Sequence, residues 1–267
     1  MTNNLIGMPT ISRRRLFAQA GTAVAAAGML EGIAPARARA DGIEAIGFDA
    51  FTIFDPRSVA APVEECFPGK GKEIFSTWRL RQFEYCWLRT LNGNYADFRQ
   101  ITEEALVFAC KSAKVDLKAS ARAKLMSAAF EFQPWPDSVA ALRSMRNAGI
   151  RLAYVSNLTP ELLARLSAAA EVTDLFEHRL STDFVKAFKP DPRAYQMAET
   201  AFRLPRDKIV FAAFGGWDAA GAKSFGLSTF WVNRLDAPVE ELGVRPDAIG
   251  SNLVELARFV GARRSGD

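Results

Sequence analysis

Residues 43–57, IEAIGFDAFTIFDPR, constrain the fold of this chain more than any other stretch. Ile43, Ala45, Ile46 and Phe48 form an apolar run bounded by Asp41-Gly42 and by Pro56. A run this short predicts a buried parallel strand rather than a helix. Asp49 then falls at the carboxyl end of that strand, the edge of an open α/β sheet where ligands bind. An aspartate at such a place also begins turns, so the stretch alone leaves two readings open: an acid facing a crevice, or one capping the next turn.

The rest of the chain repeats the pattern. Apolar runs at 150–155, 208–213 and 227–232 predict strands, and 175–181 predicts another. Between them lie helical segments: 138–148, begun by Pro136-Asp137 and stopped at Gly149; one opened by Thr159-Pro160-Glu161; 192–202; and one starting at Ala219-Ala220-Gly221-Ala222. From 59 to 125 the spacing is helical, with Trp78, Phe83, Trp87 and Leu91 and then Phe98, Ile101, Leu106 and Phe108 recurring, and no strand-like run. Strands alternating with helices predict an α/β fold, a Rossmann-like parallel sheet with helices on both faces. The expected domains are a core of 41–57 and 136–267 and a helical cap, 58–135, inserted after the first strand.

Residues 1–40 read differently. Ser12-Arg13-Arg14-Arg15-Leu16-Phe17 precedes a small-residue apolar run, which ends in Ala38-Arg39-Ala40. That order is a signal peptide of the twin-arginine type, so the chain is expected to use the twin-arginine export machinery and to reside in the periplasm. The apolar run is shorter than a span of ~20 residues, so no stable membrane anchor is expected. The formal net charge is +4. Removing 1–40 takes away Arg13, Arg14, Arg15, Arg37, Arg39 and Glu31 and leaves basic and acidic residues in balance. No basic patch then argues for nucleic acid. Cys66, Cys86 and Cys110 are too few and too scattered for a disulfide scaffold or a zinc site, and allow at most one bridge.

Polar residues gather at the strand ends: Asp49, Ser156-Asn157, Lys189 and Asp218. With FDAFTIFD, FPGKG, WRLRQFEYCWLRTL, NYADF, TEEAL, SN, FKPD, WDAAGAKSFG and FWVNR, the chain resembles the haloacid dehalogenase superfamily over nearly all of 41–267. More closely it resembles the type II L-2-haloacid dehalogenases. The resemblance implies hydrolytic dehalogenation of short (S)-2-haloalkanoic acids to (R)-2-hydroxy acids, with no metal and no cofactor. Asp49 would be the nucleophile and form an ester, Arg79 would receive the halide, and Lys189 would hold the charges in place. Asp218 would help position the hydrolytic water. Ser156 and Asn157 would bind the substrate carboxylate, and Phe51, Phe83, Phe98 and Trp217 would line an apolar pocket.

Two departures from that pattern stand out. Thr52 follows Phe51 directly, one residue short of the family's first motif, and Ala213 and Gly215 stand where the family has a serine and an asparagine. Losing polar groups that position a reacting centre costs on the order of 10²-fold in rate, so ester hydrolysis is the step affected. Two alternatives remain. A phosphatase of the same superfamily would use the same first aspartate, but Phe51 occupies the position of its second acid. A catalytically impaired binding protein on the same fold would explain Ala213 and Gly215 but not the retention of Asp49, Arg79, Lys189 and Asp218 together. The sequence leaves the oligomeric state open, a homodimer included.

The leader reading is testable by itself. Replacing Arg13 and Arg14 with lysine should leave unprocessed precursor in the cytoplasm in a fractionation experiment, and normal export of that variant would contradict it.

Overall fold

The computed structural model describes residues 42–265. Residues 1–40, expected from the sequence to be a signal peptide, lie outside the described residues. The central strand β1 (Ala45–Phe48) is buried at every position. It pairs in parallel with β4 (Arg151–Ser156) on one side and β6 (Ile209–Ala213) on the other, with Phe48 opposite Tyr154 and Ala212. β5 (His178–Ser181) extends the sheet beyond β4, while β7 (Ser228–Val232) and β8 (Ala248–Gly250) extend it beyond β6. The resulting order is β5-β4-β1-β6-β7-β8, with every pairing parallel.

Side chains alternate between two cores because successive residues of a strand point to opposite faces. Ala45, Ala153, Val155, Phe211 and Trp231 pack on one face against α7 (Pro192–Phe202) and α8 (Gly216–Phe225). Ile46, Phe48, Leu152, Tyr154, Val210 and Phe230 pack on the other, against α5 (Ser138–Asn147), α6 (Pro160–Ala169) and α9 (Leu253–Ser265). Helix starts follow local chemistry. Thr159 and Asp191 accept hydrogen bonds from backbone N–H groups of α6 and α7, each followed by proline at the first helical position.

Four α-helices occupy residues 60–128, within the stretch between β1 and α5: α1 (Ala60–Cys66), α2 (Gly71–Leu91), α3 (Phe98–Ser112) and α4 (Ala119–Ala128). Two short antiparallel strands, β2 (Phe54–Asp55) and β3 (Gln133–Pro134), pair where the chain leaves for these helices and returns. The buried side of α2 carries Ile74, Trp78, Gln82 and Cys86, four residues apart, rather than the Trp78, Phe83, Trp87 and Leu91 series read from the sequence. Leu91 is 83% exposed. The aromatic spacing masked the true stripe because that stripe contains a polar residue, Gln82.

Three further differences are boundaries and omissions. β5 begins at His178 rather than 175, since Thr173–Leu175 forms a 3₁₀ turn ahead of it. α8 begins at Gly216, before the small residues taken as its start. β8 and α9 had no counterpart in the sequence reading. β8 is too short to show a period, but Asn252 followed by Glu255 marked the start of α9: the Glu255 N–H donates to Asn252 Oδ1 at 3.0 Å. Cys66, Cys86 and Cys110 are free thiols. Among the described residues no helix is long and apolar enough to cross a membrane.

Ile46 is fully buried in the central strand, so Ile46→Ala should lower stability by about 2–5 kcal/mol in urea denaturation. Leu91→Ala, on an exposed helix face, should stay within about 0.5 kcal/mol. Equal losses at the two sites would contradict this placement of the core.

Candidate active site

β1, β4 and β6 are neighbours, and their carboxyl ends bring Asp49, Ser156-Asn157 and the start of α8 to one edge. The Asp49 N–H donates to the Ala212 carbonyl at 2.9 Å, which carries the strand pairing one residue past β1. Its own carbonyl accepts from the Thr52 N–H at 3.0 Å and from the Thr52 hydroxyl at 2.7 Å, closing a 3₁₀ turn over Ala50–Thr52. The turn-capping reading of Asp49 holds in part. The Phe51 N–H donates to Oδ1 at a long 3.5 Å, a weak cap, and the same Oδ1 lies 3.5 Å from Lys189 Nζ.

Lys189 follows Phe188 in the loop between β5 and α7, and its backbone N–H donates to Asn157 Oδ1 at 3.1 Å. Its side chain is 1% exposed. The ammonium lies 2.7 Å from Asp218 Oδ2, 3.5 Å from Asp49 Oδ1 and 5.1 Å from the centre of the Phe211 ring. A buried charge persists only when paired, and here one lysine serves two acids. Asp218 sits in the first turn of α8 but does not cap it; the cap position is Gly215. Its Oδ1 accepts from the Tyr195 hydroxyl at 2.7 Å, so both carboxylate oxygens have partners. Burial, with the charge of Asp49 adding to it, pushes the Asp218 carboxyl up to about 6 against the pull of Lys189. Tyr195 was missed from the sequence because it reads as one apolar residue on the buried face of α7.

Arg79 approaches from the inserted helices. Its guanidinium lies 5.4 Å from the Phe51 ring centre and 5.2 Å from that of Phe83. Nη1 donates to Gln82 Oε1 at 2.6 Å; the Gln82 amide donates to the Thr102 hydroxyl, which donates to the Phe98 carbonyl at 2.6 Å. The Trp78 indole N–H donates to the Thr102 carbonyl at 2.7 Å. This buried chain between α2 and α3 fixes the direction of Arg79. Burial pushes the guanidinium down to about 10, opposed by the charge of Asp49. No carboxylate among the described residues lies within 4.0 Å of it.

The other expected residues are placed as follows. The Ser156 hydroxyl accepts from the Leu158 N–H at 3.1 Å, shaping the turn that precedes α6. Phe83 meets Trp217 at 5.4 Å between ring centres, joining α2 to α8, and Trp217 also meets Trp87. Phe98 contacts Phe188, beside Lys189, at 6.5 Å. A Cβ at Gly215 would lie 2.8 Å from the Trp217 indole nitrogen, so the ring occupies the space that a side chain there would need. Among the described residues no cluster of three or more His, Cys, Asp or Glu side chains is arranged to hold a metal ion.

Comparison with known proteins places the chain in a family. Residues 22–226 match the model of the haloacid dehalogenase-like hydrolase family. An (S)-2-haloacid dehalogenase from Pseudomonas sp. (strain YL) is 41% identical over 208 residues, covering 78% of this chain and 90% of that one. The crystal structure of the L-2-haloacid dehalogenase RSc1362 superposes with a TM-score of 0.80 at 40% identity, over 83% of this chain and 100% of that one. The L-2-haloacid dehalogenase from Xanthobacter autotrophicus with chloropropionic acid covalently bound superposes with a TM-score of 0.75 at 34% identity, over 82% and 98% of the two chains. Two thirds or more of each chain is shared at these identities, and the chain belongs to the haloacid dehalogenase-like hydrolases.

Proposed function

We propose that this protein hydrolyses short (S)-2-haloalkanoic acids to (R)-2-hydroxy acids through an ester on Asp49. The observation that carries the reading is Arg79: a half-buried cation beside the turn of Asp49, with no carboxylate in ion-pairing range among the described residues. An always-charged, weakly hydrated guanidinium between aromatic faces suits a departing halide, whose charge appears only in the transition state. A phosphatase has no comparable need for it.

In the first step an Asp49 carboxylate oxygen attacks the α-carbon of the substrate from the side opposite the halide. The carbon–halogen bond breaks, the halide leaves toward Arg79 with the bonding pair, and the configuration inverts. Ser156 and Asn157 hold the substrate carboxylate, and Phe51, Phe83, Phe98 and Trp217 exclude water around its short chain. In the second step water attacks the Asp49 carboxyl carbon, the acyl carbon–oxygen bond breaks, and the departing alkoxide takes the remaining proton from the Asp49 carboxyl group and leaves as the hydroxy acid. Asp218 accepts the proton from that water, and Lys189 balances the charge. The helices of 58–135 act as a cap subdomain over the 41–57 and 136–267 core. The leader of 1–40 directs the enzyme to the periplasm through the twin-arginine machinery.

Chloride release from (S)-2-chloropropionate against a panel of phosphate esters tests the reaction class: chloride with no phosphate is expected, and the reverse would establish a phosphatase. The apolar Ala213 and the bare Gly215 leave the second step with few groups to position water. Alkylated enzyme, heavier by the substrate's carboxyalkyl group, should therefore accumulate in intact-mass spectra during turnover. Its absence at saturating substrate would contradict the slow second step. Asp218 acts ionised, so ester hydrolysis should rise with pH through about 6, and Asp218→Asn should remove that limb along with most of the rate.

A further inference from the structure

The turn that carries Asp49 is held from outside. Three consecutive carbonyls, of Phe51, Thr52 and Ile53, each meet a donor from another part of the chain. The Phe51 carbonyl accepts from the Trp135 indole N–H at 3.1 Å. The Thr52 carbonyl accepts from Arg234 Nε at 3.0 Å and from Nη2 at 2.7 Å. The Ile53 carbonyl accepts from the Trp135 N–H at 2.9 Å and from the Ser138 hydroxyl at 2.9 Å.

Arg234 is the common element. Its side chain is 4% exposed. Besides Thr52 it grips Asp137, with Nη1 on Oδ1 at 2.6 Å and Nη2 on Oδ2 at 3.0 Å, and its guanidinium lies 4.9 Å from the Trp135 ring centre. Asp137 also accepts from the Leu253 N–H at the start of α9, at 2.8 Å. Burial alone would raise the Asp137 carboxyl, but the hydrogen bonds from Arg234 and Leu253 hold it below its ordinary range, and it stays ionised at neutral pH. Arg234, just past the end of β7, thus joins the nucleophile turn to the segment 135–138 that follows β3 and, through Asp137, to α9. Planar bidentate pairing gives such a clamp one geometry.

We propose that Arg234 is a positioning residue of the reaction, fixing the backbone turn that aims the Asp49 carboxylate and thereby setting the rate of ester formation. The inference rests on the dehalogenase reading for its rate and on geometry alone for the clamp. In-line displacement needs the attacking oxygen about 3–3.5 Å from carbon and aligned, and small misplacements are costly.

Two measurements on Arg234→Met test this, and Arg234→Lys, which keeps the charge beside Asp137 but not the planar fork, replaces it if the first variant does not fold. Ester formation, followed by quenched-flow mass spectrometry, should slow by about 10-fold or more while the substrate KM moves by less than about twofold. Amide hydrogen exchange over residues 50–54 should quicken in the substrate-free protein. A variant with lowered thermal stability but an unchanged rate of ester formation would overturn the positioning role, and unchanged exchange over 50–54 would overturn the clamp itself. Wild-type protein that forms no ester would instead overturn the dehalogenase reading, and the exchange result still decides the clamp.

Discussion

The site depends on one buried ammonium. Lys189 Nζ is 2.7 Å from Asp218 and 3.5 Å from Asp49, and those acids come from different layers of the fold, one at the end of β1 and one inside α8. Two carboxylates this near the same point cannot both ionise cheaply without a shared cation. Removing one partner from such a buried group leaves an uncompensated charge and costs about 3–5 kcal/mol. The lysine therefore ties β1, the loop before α7 and the start of α8 to one geometry. Asn157 fixes its backbone and Tyr195 fixes the far side of Asp218, so neighbours in space but not in sequence complete the arrangement.

The second feature is the seam between the sheet edge and the inserted helices. Arg79, Phe51, Phe83 and Trp217 meet there, and the polar chain of Gln82 and Thr102 orients the guanidinium from behind. In a half-buried, largely aromatic setting a cation acts on a developing anion more strongly than it would in open water. The same apolar lining is unhelpful for ester hydrolysis. Phe214 stacks edge-on against Phe51 at 5.9 Å, and the Trp217 ring fills the space beside Gly215. The edge is thus built well for displacement and sparsely for holding water.

Much of this was legible in the residues. The parallel sheet followed from short apolar runs between helical segments, and 192–202 has the bounds expected of it. Asp49 was legible as a polar residue directly after such a run, whereas Lys189, in the loop past β5, and Asp218, inside α8, were legible through the family resemblance. Tyr195, Gln82 and Arg234 were not. Each reads as an ordinary residue of its element, a buried aromatic, a polar helix position or a loop cation, until tertiary contacts reveal its partner 20 or more residues away. Asp137 shows the limit most clearly: it marks the start of α5 as expected, yet its carboxylate serves Arg234 and Leu253 rather than its own helix.

The central claim is that Asp49 makes a covalent bond to substrate and that water then attacks the enzyme. A single turnover of (S)-2-chloropropionate in H₂¹⁸O, with enzyme in excess, followed by peptide mass spectrometry, reads this directly. The account predicts label in the peptide containing Asp49 and an unlabelled first product, with the label reaching product only in later turnovers. Label wholly in the first product, with Asp49→Asn still releasing chloride, would contradict it.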